Sequence, residues 1–346
     1  MRTCIGVVLI ILLGLFALAA ASRFKDSPVR LIADHHLAIE TAAGRGDLAL
    51  YVSRDWSRAQ PALVRAIVTI HGLDRAADLS RTIAEVGRAN SDLDPESVLL
   101  IEPQFLNDTD VAAYRLPSQT LHWRGAQWEA ADDALGPAPI SSFAALDAIL
   151  ARLADRAVFP SLKTVVVAGH SGGGQFVQRY AVAGRGGDAL TRAGIHVRYV
   201  VANPSSYLYF SPERPAGDGF AIFDGSACSG YDGWKYGVNG WPPYFSGEDP
   251  AALETGYIAR DVVYLLGTGD DDADHPTLDK TCMAEAEGST RYSRGLAYFH
   301  YLQARHQAAL AHRLLLVPGV GHNEDGVFNS SCGLAALYDL PGRNGD

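Results

Sequence analysis

Cysteine is scarce in this chain, with four in 346 residues, and none of the four is spaced as metal ligands are. No metal site and no other cofactor is expected. Basic residues are outnumbered, 29 Lys and Arg against 39 Asp and Glu, for a formal net charge of −10. A nucleic-acid groove needs the opposite balance, so nucleic acid is not an expected partner. The acidic residues lie in local runs and read as solubilising surface. Beyond residue 21 no apolar stretch is long enough to cross a bilayer, and no internal repeat is found. What remains is an ordinary globular composition, 48% hydrophobic and 20% charged, sized for one large domain or two small ones.

The long apolar run that does exist is at the start. Arg2 is followed by an apolar run from Ile5 to Leu18 and by Ala19-Ala20-Ala21. A positive start, a short greasy stretch and small residues at its end predict a signal peptide over 1–21, cut before Ser22. The competing reading is an uncleaved anchor, but the run is near the minimum for a span, and the small residues favour cleavage. Cys4 precedes the apolar run and so is no lipoprotein cysteine. The mature chain, 22–346, is then secreted or periplasmic, with no stable membrane span. It keeps Cys228, Cys282 and Cys332. An oxidising compartment favours disulfides, and three cysteines leave one over. Cys228 with Cys282 is the preferred pair because both sit in long loops; Cys332 is the alternative partner for either.

Along the chain, apolar β-branched runs alternate with helical periodicity. Strands are expected at 66–70, 97–101, 164–168, 197–202, 261–266 and 312–317, with 48–52 as an edge strand. Helices are expected at 79–89, 143–154, 175–182 and 295–311. Residues 104–139 read as a long loop. Most strands are apolar on both faces, which predicts a mostly parallel sheet flanked by helices on both sides. Residues 203–257 are rich in Gly, Pro, Trp and Tyr and show little period. So long a structureless run inside a domain is better read as a cap-like or lid-like insert between two strands.

The most specific stretch is Thr164-Val165-Val166-Val167-Ala168-Gly169-His170-Ser171-Gly172-Gly173-Gly174. A buried strand breaks into Gly-His-Ser-Gly-Gly and continues as helix, the context of a Gly-x-Ser-x-Gly nucleophile elbow. The turn strains the serine backbone, Gly169 and Gly173 leave room for it, and the helix start offers free N–H groups to a developing negative charge. The bland alternative is a glycine-rich turn with a capping serine.

Two loops after later strands carry complementary chemistry. Val262–Leu266 runs into Gly267-Thr268-Gly269-Asp270-Asp271-Asp272-Ala273-Asp274. A carboxylate at the carboxyl end of a parallel strand can orient a histidine. Asp270 is the first choice and Asp272 the rival. A calcium loop starting at Asp270 fails, because His275 stands where glycine is needed and Thr281 where glutamate is needed. The last strand ends in Pro318-Gly319-Val320-Gly321-His322, a histidine on a glycine-rich loop with an ordinary pKa suited to acid–base work. Near the first strong strand, Ile70-His71-Gly72-Leu73 can present a backbone N–H to a substrate oxygen. Leu73 is preferred and Asp74 second, with Gly172 supplying the partner N–H; His71 itself is open to a reading as a packed turn residue.

With elbow, His-Gly turn, acid and histidine in this order, the chain from about Val64 to about Leu340 resembles the α/β-hydrolase superfamily. The resemblance implies an eight-stranded, mostly parallel sheet and a two-step acyl-enzyme mechanism. Ser171 would attack a carbonyl, His322 would shuttle the proton, Asp270 would hold His322, and Gly172 and Leu73 would bind the oxyanion. The departure is an acid loop with several aspartates where the family needs one. The expected substrate is a small-molecule or lipid-like carboxylic ester. A peptidase or amidase on the same fold, or a catalytically silent binding member, are the alternatives. Tyr207, Tyr209, Trp234, Tyr236, Trp241 and Tyr244, with Trp123 and Trp128, either wall an apolar pocket or pack the insert.

Overall fold

The computed structural model describes residues 27–340, and the expected signal peptide at 1–21 lies outside them. The first described elements are a hairpin, β1 (His35–Thr41) and β2 (Gly44–Val52). There follow β3 (Arg65–Ile70), α1 (Ala77–Ala89), β4 (Val98–Pro103), α2 (Asp108–Tyr114) and α3 (Ser142–Leu153). The centre is β5 (Thr164–His170), α4 (Gly172–Ala183), α5 (Gly186–Arg192) and β6 (His196–Ala202). A small hairpin, β7 (Glu213–Ala216) and β8 (Gly219–Ile222), and α6 (Pro250–Ile258) lead to β9 (Asp261–Gly267). The chain ends with α7 (Cys282–Glu285), α8 (Arg291–His306), β10 (Arg313–Val317), α9 (Glu324–Phe328) and α10 (Ser331–Tyr338).

Eight strands form one sheet in the order β1-β2-β4-β3-β5-β6-β9-β10. β2 pairs antiparallel with β1 and β4, and the other neighbours are parallel. The two-residue period divides each strand between two cores. Val165 and Val167 of β5 face the core built with α3, α4 and α8, while Val166 and Ala168 face the core built with α1, α9 and α10. Burial on both faces is why these strands read as continuous apolar runs and why a parallel arrangement follows.

Two expectations need correction, and a third stretch holds more structure than its pattern shows. The segment at 48–52 is not an edge strand: Leu50, Tyr51 and Val52 pair with Pro103, Glu102 and Ile101, and β1, whose pattern is weak, takes the edge. The stretch 104–139 holds α2, started by a capping box of Asn107 and Asp110, and buries Trp123 and Trp128 in the core. The stretch 203–257 is also partly structured, by β7, β8 and α6. Of its aromatics, Tyr207, Tyr209, Tyr236 and Tyr244 are buried, and Tyr207 stacks on Tyr298 of α8 at 4.6 Å. Those four rings pack this stretch against the rest of the described chain. Cys228 in this stretch is bonded to Cys282 at the start of α7, and Cys332 is free and buried.

Candidate active site

The site begins where β5 cannot continue. Ser171 adopts φ 58° and ψ −119°, a conformation that L-residues avoid, and the chain then turns into α4. Close packing forces the surrounding residues to be glycine. A Cβ on Gly173 would stand 2.0 Å from the carbonyl oxygen of Ile70, and one on Gly169 would stand 2.3 Å from that of Gly173. Both obstacles are backbone and cannot swing aside. The turn is pinned by Ser171 N–H donating to the Ala202 carbonyl at the end of β6, 3.0 Å away.

Three distant side chains meet above the carboxyl ends of β5, β9 and β10. His322 Nε2 lies 2.9 Å from Ser171 Oγ, and His322 Nδ1 lies 2.7 Å from Asp270 Oδ2. With Asp270 ionised, Nδ1–H donates to the carboxylate, and Nε2 is left to accept from the serine hydroxyl. The two loops that carry the acid and the histidine are interlocked. Gly269 N–H donates to the Val320 carbonyl at 2.8 Å, and Gly319 N–H donates to Thr268 Oγ1 at 2.8 Å. Asp272, the rival acid, is exposed; its carboxylate accepts from the N–H of Asp274 at 2.8 Å.

The Asp270 carboxylate is only 2% exposed, and its oxygens are shared unequally. Asn203 Nδ2 also donates to Oδ2 at 2.6 Å, while Arg291 Nη1 approaches Oδ1 at 3.5 Å. Asn203 is itself fixed by accepting from Gly267 N–H at 3.0 Å. Burial pushes the carboxyl upward, but the hydrogen bond and charge of His322, with Arg291 and Asn203, outweigh it and hold Asp270 at about 2. His322 is pushed down, first by burial and then by the Arg291 charge, against the opposing hydrogen bond to Asp270. The imidazole is therefore a neutral acceptor at pH 7.

Asn203 and Arg291 escaped sequence reading. Neither belongs to a local motif; one follows β6 and the other opens α8, and only folding brings them to Asp270. Two histidines also flank His322 that the sequence did not single out for it. The ring of His170 lies 4.5 Å from that of His322, and the ring of His275 lies 5.0 Å away. His170 is held well below its usual value, by burial and then by repulsion from His322.

The other expected donors come from two turns, Leu73 from the one after β3 and Gly172 from the one after β5. The backbone nitrogen of Leu73 lies 3.2 Å from the position a Cβ on Gly172 would take, so the Leu73 and Gly172 peptides are neighbours. Gly172 opens α4, and its N–H has no acceptor within the helix. Leu73 is aimed by His71. His71 Nε2 accepts from Phe105 N–H at 2.9 Å, which puts the proton on Nδ1, and Nδ1–H donates to the Gly72 carbonyl at 2.8 Å. In a planar trans peptide the Leu73 N–H points opposite to that carbonyl, away from His71. His71 packs edge-on against the stacked rings of Trp128 and Phe105, and burial lowers it to about 4, so it stays neutral. Among the described residues no group of three or more His, Cys, Asp or Glu is arranged to hold a metal ion.

No family model matches the chain, and no curated protein matches it by sequence. Solved structures do match it by shape. The chain is similar to poly(aspartic acid) hydrolase-1 from Sphingomonas sp. KT-1, with a TM-score of 0.59 and 19% identity, over 90% of this chain and 99% of that one. It is similar to a poly(3-hydroxybutyrate) depolymerase from Bordetella parapertussis, with a TM-score of 0.60 and 21% identity, over 90% of this chain and 91% of that one. With eight strands in this order, an antiparallel pair at one edge, and helices on both faces, the chain has the α/β-hydrolase fold.

Proposed function

We propose that this chain is a serine hydrolase that cleaves carboxylic esters through an acyl-enzyme. The observation that carries the reading is the unbroken hydrogen-bond chain from Ser171 Oγ through His322 to the buried Asp270. His322 takes the hydroxyl proton as Ser171 attacks the ester carbonyl. Asp270 keeps the proton-accepting nitrogen turned to the serine and stabilises the imidazolium that forms. The N–H groups of Leu73 and Gly172 receive the oxyanion; one such donor is worth about 10²–10³ in kcat. His322 then protonates the departing alcohol, and a water activated by the same imidazole releases the acid.

The ester is favoured because an alkoxide leaves with less help than an amine. The similar structures are named for a polyester and for poly(aspartic acid), a polyamide, so amide cleavage is the second reading. A net charge of −10 repels a polyanion and supports the neutral ester. Export belongs to the same reading. It is supported by the leader-like residues 1–21 and by the disulfide of Cys228 and Cys282. Residues 203–257, as a cap over the site, complete it.

The test uses the mature chain with p-nitrophenyl esters of increasing acyl length, peptide anilides and a fluorophosphonate. Ester turnover and phosphonate labelling, both lost in Ser171→Ala, are the expected result. Turnover of anilides alone moves the assignment to an amidase. Absence of labelling makes the chain a silent member of the fold.

A further inference from the structure

We propose that Arg291 is a positioning residue for this site: anchored to Ser205 and Thr277, it holds the Oδ1 edge of Asp270, and its charge sets the acid limit of turnover. The proposal rests on the reading of Ser171, Asp270 and His322 as a triad. Three observations carry it. The guanidinium is fully buried, and its position is fixed by Nε donating to Ser205 Oγ at 2.8 Å and Nη2 donating to Thr277 Oγ1 at 2.9 Å. Its remaining nitrogen, Nη1, faces Asp270 Oδ1 at 3.5 Å, opposite the oxygen that His322 and Asn203 share. A cation is also out of place here for helix stability. Arg291 is the first residue of α8, where the positive end of the helix dipole disfavours a positive charge.

The consequence follows from the groups that surround the imidazole. His322 faces Asp270 from the acid loop, His170 from β5 and His275 from the loop beyond Asp270, with Arg291 behind the carboxylate. Asp271 and Asp272 lie along the same loop; Asp271 accepts from Thr290 Oγ1 at 2.8 Å and Asp272 points to solvent. His170 and His275 are both kept neutral at pH 7, so Arg291 is the permanent cation of this group. It opposes protonation of His322 at rest. Turnover, which needs the neutral imidazole, therefore persists to lower pH than it would without the guanidinium. The same charge opposes the imidazolium of the transition state, so the arrangement exchanges some rate at high pH for activity at low pH.

The experiment compares kcat/KM against pH, with p-nitrophenyl butyrate, in the wild type, Arg291→Gln, Arg291→Lys and Thr277→Val. Removing the charge in Arg291→Gln is expected to move the acid limb to higher pH by about one unit, the scale of a charge several ångströms away in partly buried surroundings. Arg291→Lys keeps the charge and is expected to restore the limb. Thr277→Val loosens the anchor and is expected to lower the plateau a few-fold with the limb in place. Arg291→Met, with a similar stem and no charge, replaces the glutamine variant if that one does not fold. A titration of the His322 ring proton by NMR, in the Ser171→Ala background, reads the same midpoint without turnover. An acid limb and a ring midpoint that stay put in the uncharged variants overturn the proposal and leave the triad standing. A wild type that neither turns over ester nor takes the phosphonate overturns the triad, while the ring titration still reports on Arg291.

Discussion

Ser171 combines a backbone that glycine prefers with a side chain that glycine lacks, and the two can be separated. Holding a non-glycine residue at φ 58°, ψ −119° costs about 1–3 kcal/mol. Ser171→Ala removes the hydroxyl and its contact with His322 but keeps that strain. Ser171→Gly removes both. Against the relief stands the greater freedom of glycine in the unfolded chain, about 0.5–1 kcal/mol relative to alanine. The glycine variant is therefore expected to be the more stable of the two by about 0.5–2 kcal/mol. Unfolding entropy of about 2.1 cal/mol/K per residue over roughly 310 residues is about 0.65 kcal/mol/K, so the difference in Tm is about 1–3 °C. Calorimetry and urea titration of the two variants, side by side, measure it. Both are expected to be inactive, so activity does not confound the comparison. An alanine variant as stable as the glycine variant, or more so, would refute the claim that the elbow stores backbone strain.

Asp270→Asn is expected to lower kcat about 10³–10⁴-fold, because an amide no longer selects the productive tautomer of His322, whereas Asp272→Asn stays close to wild type; equal losses in both would reject Asp270 as the acid. The acid limb of kcat/KM in the wild type is expected below the usual imidazole midpoint of about 6.5, since burial and Arg291 lower His322; a limb above that value contradicts the geometry. Stability is expected to fall as pH drops from about 4 to about 2. Asp261, bonded to Arg198, His196 and Arg313, is held at about 2 in the folded state against about 3.9 unfolded, so its contribution is present above pH 4 and lost below. Urea midpoints at pH 7 and pH 3 should differ less in Asp261→Asn than in the wild type. Opening the bond between Cys228 and Cys282, which are 54 residues apart, is expected to cost about 2–4 kcal/mol, and buried Cys332 is expected to resist alkylation until the protein is denatured; a mass consistent with three free thiols would remove the disulfide from the account.

The sequence by itself determined what local chemistry can write. Val165 to Ala168 are β-branched or small and apolar, so they specify a strand buried on both faces, and buried parallel strands specify helices to cover them. The glycines around Ser171 specify a sharp turn, because only glycine fits where the backbones of Ile70 and Gly173 come within 2.3 Å of a Cβ. Those features depend on residues a few positions apart, within reach of pattern and propensity. Tertiary structure decided which of several equivalent residues meets which partner. Asp270 and Asp272 are chemically the same, and only the pairing of the β9 loop with the β10 loop turns Asp270 to His322 and leaves Asp272 in solvent. The partner of Cys228, the place of β2 inside the sheet and the convergence of Asn203 and Arg291 on one carboxylate are likewise products of long-range packing. Such contacts join residues about 20 to 70 positions apart, and no periodicity in the chain records them.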